Sequence, residues 1–348
     1  MTHQNTKPKA LALLSGGLDS MLAAAIMQRQ GIPVHALTFV SLFTASRSAD
    51  GTKLQSMAAA DHLGLPLTIV NWSREFLELI KRPAYGYGSN INPCIDCRLA
   101  VLQKAREHME TLGCDFVVTG EVLGERPMSQ RRQPMDMVQS RSGLGGLLLR
   151  PLCAQLLPAT LPEQRGWVDR SALYAIRGRS RKPQMALAKK LEISEYPSPA
   201  GGCLLTDPAF AAKMKDLLEH EPHFDLKDAH LLKVGRHFRF GPAVRCIIGR
   251  NHYDNRVILS YARDGDTLLE ARNFTGPLTL LRGEAGPDQV GLAAAATLRY
   301  GKGRAADSAV VLWWKYGEER NELSVAPATE EQLQAWRLTG PSGGRRAE

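Results

Sequence analysis

The sequence predicts an α/β protein in two parts: a parallel sheet covered by helices on both faces, then a smaller, mainly β domain. Three observations carry this. The first 125 residues alternate short apolar runs with helical stretches ended by glycine, the order that builds a parallel sheet. From residue 230 onward the runs become short and β-like, parted by Gly-Pro and Asp-Gly turns. Between them, residues 126–206 are rich in Arg, Pro and Gly and offer few long elements.

Each element has its own warrant. Residues 10–14 form an apolar run of strand length that stops at Ser15-Gly16-Gly17. Residues 18–30 read as a helix closed by Gly31, because glycine commonly follows a helix end. Residues 34–40 are a β-type run, 54–63 a helix up to Gly64, 67–72 a strand and 74–81 a helix. A long helix spans 95–112 up to Gly113, and 116–119 is a further strand. In the middle stretch, 181–191 is the clearest helix, 196–203 a loop fixed by prolines and glycines, and 210–218 a helix. Beyond it, β runs fall at 231–234, 243–248, 256–261, 267–270, 278–281 and 309–314, with one helix near 290–298. The expected organisation is a first domain over 1–125, a basic segment over 126–224, a β domain over 225–325 and a polar tail over 326–348. The end of that tail, from Gly340, is expected to be disordered.

Composition narrows the function classes. The chain has 348 residues, 44% of them hydrophobic and 23% charged, as expected of a globular protein rather than a disordered one. No apolar run nears the roughly 18 residues of a membrane span, and the start lacks a signal-peptide core. A cytoplasmic protein without membrane contact is therefore expected. The net charge is +9, and residues 126–190 hold thirteen Lys or Arg against three Asp or Glu, +10 in that stretch. Such focused charge fits either a polyanionic partner, nucleic acid first, or a solvated basic face. Six cysteines in a chain this long do not make a disulfide scaffold.

Two motifs carry chemistry. Ser15-Gly16-Gly17-Leu18-Asp19-Ser20 joins the first strand to the first helix. Its glycines allow a tight turn and close ligand approach, and the helix N–H groups favour an anion there. Ser15 and Ser20 add hydroxyls, and Asp19 is placed to hold Mg²⁺. The spacing is neither a Walker loop nor a dinucleotide fingerprint. In Asn92-Pro93-Cys94-Ile95-Asp96-Cys97-Arg98, Asn92 suits a helix cap and Pro93 the first helical position. Cys94 and Cys97 then share one face at the helix start, where thiol pKa values are lowered. Two cysteines leave a metal site incomplete, and Cys203, in its Gly-Gly loop, is the best third ligand. Cys114, Cys153 and Cys246 read as packing residues.

The Ser-Gly-Gly-x-Asp-Ser loop in its strand–turn–helix setting resembles the pyrophosphate loop of the PP-loop ATP pyrophosphatases, of the adenine nucleotide alpha hydrolase superfamily. The resemblance implies an ATP site at Ser15, Gly16, Gly17, Asp19 and Ser20. It also implies cleavage of ATP between the α and β phosphates, with adenylation of a carbonyl-type oxygen. Asn-Pro-x-x-x-Cys with a later cysteine is similar to the tRNA thiouridine synthases of the 2-thiouridine and 4-thiouridine type. In these a first cysteine is catalytic and a second carries a persulfide, roles that fall on Cys97 and Cys203. Cys94 stands where such enzymes carry an aspartate. That departure looks like the thiolases that bind a 4Fe–4S cluster through three cysteines, here Cys94, Cys97 and Cys203. The cluster is the preferred reading and the persulfide its alternative.

Thr119-Gly120 ends a strand where the related synthases approach ATP, which implies a nucleotide contact at Gly120. The following Gly124-Glu-Arg-Pro-Met-Ser-Gln-Arg-Arg132 and Arg177-Gly-Arg-Ser-Arg-Lys182 offer donors for phosphate or RNA, or are charged surface. The stretches Leu232–Arg239 and Cys246–Asn255 look like the RNA-binding domain of NFACT proteins. Within them Arg236, Arg239, Arg245 and Arg250 stand beside His237, Phe238 and Tyr253, whose rings are either stacking surfaces or core. The expected function is ATP-dependent tRNA uridine thiolation, with tRNA and a sulfur donor (desulfurase, carrier protein or sulfide) as partners. The alternatives are a PP-loop ligase or amidotransferase for a small molecule, or a non-catalytic RNA-binding quality-control factor.

Overall fold

A computed structural model describes residues 7–44, 53–196 and 203–338. Most of the 196–203 loop and the end of the tail lie outside the described residues. The chain divides into two compact units, Met1–Cys203 and Leu204–Glu348.

The first unit is built on β1 (Ala10–Leu13), β2 (Val34–Val40), β3 (Leu67–Asn71), β4 (Phe116–Val118) and β5 (Leu148–Leu149). Their order is β3-β2-β1-β4-β5, with every pair parallel. Side chains alternate between the faces of a strand, and the two cores follow that alternation. Ala10 and Ala12 of β1 and Val34 and Ala36 of β2 bury against α1 (Leu18–Arg29), α2 (Gln55–Leu63) and α7 (Lys182–Lys190). Leu11 and Leu37 face the other way, onto α4 (Cys94–Thr111) and α5 (Arg132–Arg141). The helices α3 (Ser73–Lys81) and α6 (Leu161–Gln164) complete the unit. The switch from β2 on one side of β1 to β4 on the other opens a crevice at the carboxyl ends of the strands, where open α/β sheets bind ligands. The loop after β1 and the start of α4 both reach it.

The second unit is a six-stranded antiparallel sheet in the order β11-β10-β8-β9-β7-β6. Its strands are β6 (Arg236–Arg239), β7 (Arg245–Ile248), β8 (Thr267–Ala271), β9 (Thr279–Arg282), β10 (Ala309–Lys315) and β11 (Asn321–Val325). Its helices are α8 (Pro208–His220), α9 (Leu226–Leu231), α10 (His252–Ser260), α11 (Pro287–Arg299) and α12 (Glu330–Gln334). Val290, Ala293, Ala294 and Leu298 of α11 cover one face over Cys246, Leu269 and Leu281. Ile247, Leu268 and Leu280 point to the other, where Ile258 of α10 packs. Leu333 of α12, in the stretch expected to be tail, is fully buried. No helix among the described residues is long and apolar enough to cross a membrane.

Two expected strands do not form. Residues 256–260 belong to α10 and Tyr261 follows its end, because the Asn251 side chain accepts from the Asp254 N–H at 2.9 Å and caps the helix start. Its apolar run then buries Ile258 and leaves Leu259 half outside, a helical rather than a strand pattern. Residues 231–234 hold the last residue of α9, Leu231, and the turn that follows it; Asp225 and Asp228 open that helix with a capping box. At α4 Pro93 takes the cap position expected of Asn92, Cys94 is the first helical residue, and no side chain caps the helix.

Candidate functional site

The loop after β1 is held by its own hydroxyls. The Ser20 hydroxyl donates to the Gly17 carbonyl at 2.7 Å and accepts from the Ser15 N–H at 3.2 Å. Gly16 has φ +86, and a Cβ there would lie 2.4 Å from the Gln55 backbone carbon. Gly17 precedes α1 without a side-chain cap, so the Leu18 and Asp19 N–H groups remain available to an anion, while the Ser20 N–H is taken by the Gly17 carbonyl. Gly120, just beyond β4, packs directly on that turn: a Cβ on it would meet the Asp19 backbone at 2.4 Å. The two glycine positions bring the ends of β1 and β4 to one place.

A pocket of about 510 Å³ opens there, within the range of small-ligand sites. Ser15, Gly17, Asp19, Ser20 and Gly120 line one part of it, and Cys94, Cys97 and Cys203 another. Gly16 lies behind the loop, against Gln55. Cys114, Cys153 and Cys246 are buried elsewhere, the Cys153 thiol donating to the Glu121 carbonyl at 3.3 Å.

The thiols are not activated as their helix position led one to expect. Burial pushes the Cys97 thiol up to about 12, and the neighbouring Cys203 and Cys94 add to the rise against the pull of Arg98 and Arg126. Burial also raises Cys94. Burial is the largest influence on Cys97 and outweighs both guanidiniums and the helix terminus. Arg98 Nε lies 2.6 Å from a Glu121 oxygen, though off the hydrogen-bonding direction, so the contact is ionic. The other Glu121 oxygen accepts from Arg150 at 2.8 Å and from the Thr119 hydroxyl at 3.1 Å. Burial raises the Glu121 carboxyl, but the two guanidiniums overcome it and hold it at about 2. This buried ion triad ties the start of α4 to the end of β4. Arg150 is thus a structural member of the basic stretch, not a surface charge.

Sequence reasoning missed two further residues. Glu125 follows the turn at Gly124, and its carboxyl meets that of Asp19. Burial, then Asp19, lifts it to about 7 against Arg126 and Arg181. Burial raises Asp19 as well. Gln184, on α7, is fully buried beside Asp19. The acid of Gly124-Glu-Arg was readable as a charge near the strand end, but Gln184 carries no signal in the sequence. Arg177-Gly-Arg-Ser-Arg-Lys182 joins the same region: Gly178 N–H donates to the Leu123 carbonyl at 2.8 Å, and Leu123 bridges Arg177 in parallel.

In the second unit several of the expected RNA contacts are core. His237, Phe238, Arg239 and Arg245 are all buried. Arg239 pairs with Asp216 at 2.5 Å, and Arg245 with Asp228 at 2.9 Å. Their strands alternate faces inside a sheet covered on both sides, so these side chains do not reach solvent. Tyr253, by contrast, is 58% exposed, and Arg236 stacks over Tyr300 at 4.5 Å.

Residues 5–155 match the family described as thiamine biosynthesis protein (ThiI), and residues 235–337 match the NFACT protein RNA binding domain. A tRNA-specific 2-thiouridylase MnmA from Chloroflexus aurantiacus is 30% identical over 151 residues, covering 38% of this chain and 41% of that protein. The enzyme of the same name from Methylobacillus flagellatus is 30% identical over 169 residues, covering 45% and 46%. The chain thus spans less than half the length of these relatives. A solved 4-thiouridine synthetase–RNA complex with bound ATP is 19% identical, with a TM-score of 0.33, covering 54% of this chain and 52% of that one. A likeness at that score carries no argument.

Proposed function

We propose that the chain is an ATP-dependent tRNA uridine thiolase acting in the cytoplasm. The observation that supports it is the single pocket whose wall passes from the Ser15–Ser20 loop to three cysteines. A uracil carbonyl oxygen is a poor leaving group. Its attack on the α-phosphorus of ATP breaks the bond to the β-phosphate oxygen and releases pyrophosphate. A sulfur nucleophile then attacks the adenylated carbon, the carbon–oxygen bond breaks, and AMP departs with the oxygen, leaving a thiocarbonyl. In this reading the Leu18 and Asp19 N–H groups of α1, with Ser15 and Ser20, bind phosphate oxygens, and Gly120 lets the nucleotide lie close to the strand ends. Asp19 takes Mg²⁺, and Arg126 offsets charge between the phosphates and the thiols. The exposed arginines of 126–190 and the second unit grip the tRNA backbone.

Three thiols line one pocket, and as thiolates they would repel one another without a positive group between them. Among the described residues, no three His, Cys, Asp or Glu side chains are grouped to hold a single metal ion. A 4Fe–4S cluster instead spreads its ligands over several irons, and Cys94, Cys97 and Cys203 would hold it. When bound, such a cluster would supply the sulfur nucleophile, fed by an external donor.

Mixing the chain with ATP and unmodified tRNA should release pyrophosphate and yield a thiolated nucleoside by mass spectrometry. Asp19→Ala should abolish pyrophosphate release while the melting curve stays put. Pyrophosphate release without dependence on tRNA would instead favour a small-molecule ligase. Protein purified without oxygen should carry about four iron and four sulfide per chain, lost in Cys94→Ala, Cys97→Ala and Cys203→Ala but kept in Cys153→Ala. A colourless, iron-free enzyme that is active without Cys94 would replace the cluster by a persulfide on Cys203.

A further inference from the structure

We propose that Asp19, Glu125 and Gln184 together form the seat of a divalent cation of the Mg²⁺ class, completed by the triphosphate. The assignment rests on the nucleotide reading of the pocket and adds two ligands to it.

Three separate elements deliver these groups. Asp19 lies in the first turn of α1. Glu125 sits on the turn after β4, fixed by the Gly124 N–H donating to the Gln130 carbonyl at 2.7 Å. Gln184 comes from the first turn of α7, which the Leu123–Arg177 bridge holds next to that turn. The Asp19 and Glu125 carboxyls meet inside the pocket. Asp19 Oδ1 is buried and has no hydrogen-bond partner. Gln184 is fully buried, and neither its Oε1 nor its Nε2 has a partner either. It stands close enough to pull on the Asp19 carboxyl without closing a hydrogen bond of ordinary geometry.

An unsatisfied buried amide costs stability, and two carboxylates in contact repel. Asp19 is the common neighbour, with Glu125 and Gln184 each bearing on its carboxyl. Neither Arg126 nor Arg181 closes an ion pair with either carboxylate, although the charge of both reaches them. What the cluster lacks is a compact cation that accepts oxygen ligands from several directions. Mg²⁺ is held by one or two carboxylates with phosphates and waters filling an octahedron. Two carboxylates and the Gln184 carbonyl leave positions open toward the N–H-lined loop where phosphates would lie.

Mn²⁺ serves as the probe. Its binding to the full chain can be followed by electron paramagnetic resonance of the free ion, with and without an ATP analogue carrying a methylene bridge between the α and β phosphates. The wild type should bind about one Mn²⁺ per chain in the presence of the analogue. Glu125→Gln and Gln184→Leu should each weaken that binding by at least ~10-fold. Metal-free Glu125→Gln should melt no lower than the wild type, because it removes a repulsion. Wild-type Mn²⁺ affinity in Glu125→Gln overturns the assignment, whether or not Gln184→Leu folds. A wild type that binds the analogue and Mn²⁺ normally while the variants do too leaves the nucleotide reading intact and defeats only this seat. A wild type that fails to bind the analogue at all defeats both.

Discussion

At Glu121 one carboxylate, 6% exposed, answers two guanidiniums and a hydroxyl. Replacing it with alanine leaves Arg98 and Arg150 charged and without that partner. Removing one member of a buried ion pair costs about 3–5 kcal/mol, so Glu121→Ala should melt far below the wild type. The same group sets an acid limit. Its folded pKa, about 2, lies below the ordinary glutamate value near ~4.3. A depressed carboxyl contributes its full stability above the unfolded value and loses it as pH falls through the folded one. Melting temperature should therefore drop between about pH 4 and pH 2 in the wild type, and less steeply in Glu121→Gln. Parallel slopes for the two proteins would show that the triad does not govern acid stability. Burial, above all, explains why the Cys97 thiol could not be read correctly from its place at a helix start. Arg98 follows it directly, and sequence alone does not show that a buried glutamate has already claimed that cation.

Elements show the same division between local and distant causes. The strands and helices up to Val118 were readable because they are short apolar or periodic runs, and three of the helices, α1, α2 and α4, are closed by Gly31, Gly64 and Gly113. The short β5 and the polar α5 were not, since two leucines and a run such as Arg-Gln-Pro-Met-Asp carry little period. For α10, the Asn251-x-x-Asp254 cap was in the sequence, but Val257-Ile258-Leu259 outweighed it as a β-type run. In the candidate site, the residues of the two motifs could be named because their chemistry is local. Glu125 and Gln184 depend on how three elements meet, which no single stretch encodes. Gly120 tests that meeting. Its added Cβ would fall within 2.5 Å of the Asp19 oxygen and the Ser20 nitrogen, both backbone atoms that cannot swing aside. Gly120→Ala should therefore displace the start of α1 and weaken ATP binding in a titration, much more than Gly291→Ala, where a Cβ meets open space. Equal nucleotide affinity in Gly120→Ala would mean that the β4 end does not bear on the loop.

Across the whole molecule, charge is divided between holding the fold and facing outward. Arg150 and Arg245 are buried and paired, while Arg177, Arg179, Lys182, Lys189 and Lys190 remain on the surface. Arg181 turns into the pocket. A basic face that only keeps the protein soluble and one that grips RNA look alike in composition, but differ in how they respond to salt. Each phosphate neutralised on a single strand releases counterions and adds about −0.7 to the log–log slope of affinity against salt, nearer −0.9 on a duplex. Neutralising Arg177, Arg179 and Lys182 together spares Arg181 and so leaves the nucleotide pocket untouched. If all three contact phosphates, tRNA affinity should fall and the slope should flatten by roughly two to three units. ATP binding without tRNA should stay at the wild-type level. A lower affinity with an unchanged slope would mean that the variant had lost shape rather than phosphate contacts. Unchanged affinity and slope would identify this stretch as solvated surface and move the RNA grip to the second unit, where Tyr253 and Arg236 are the next residues to replace.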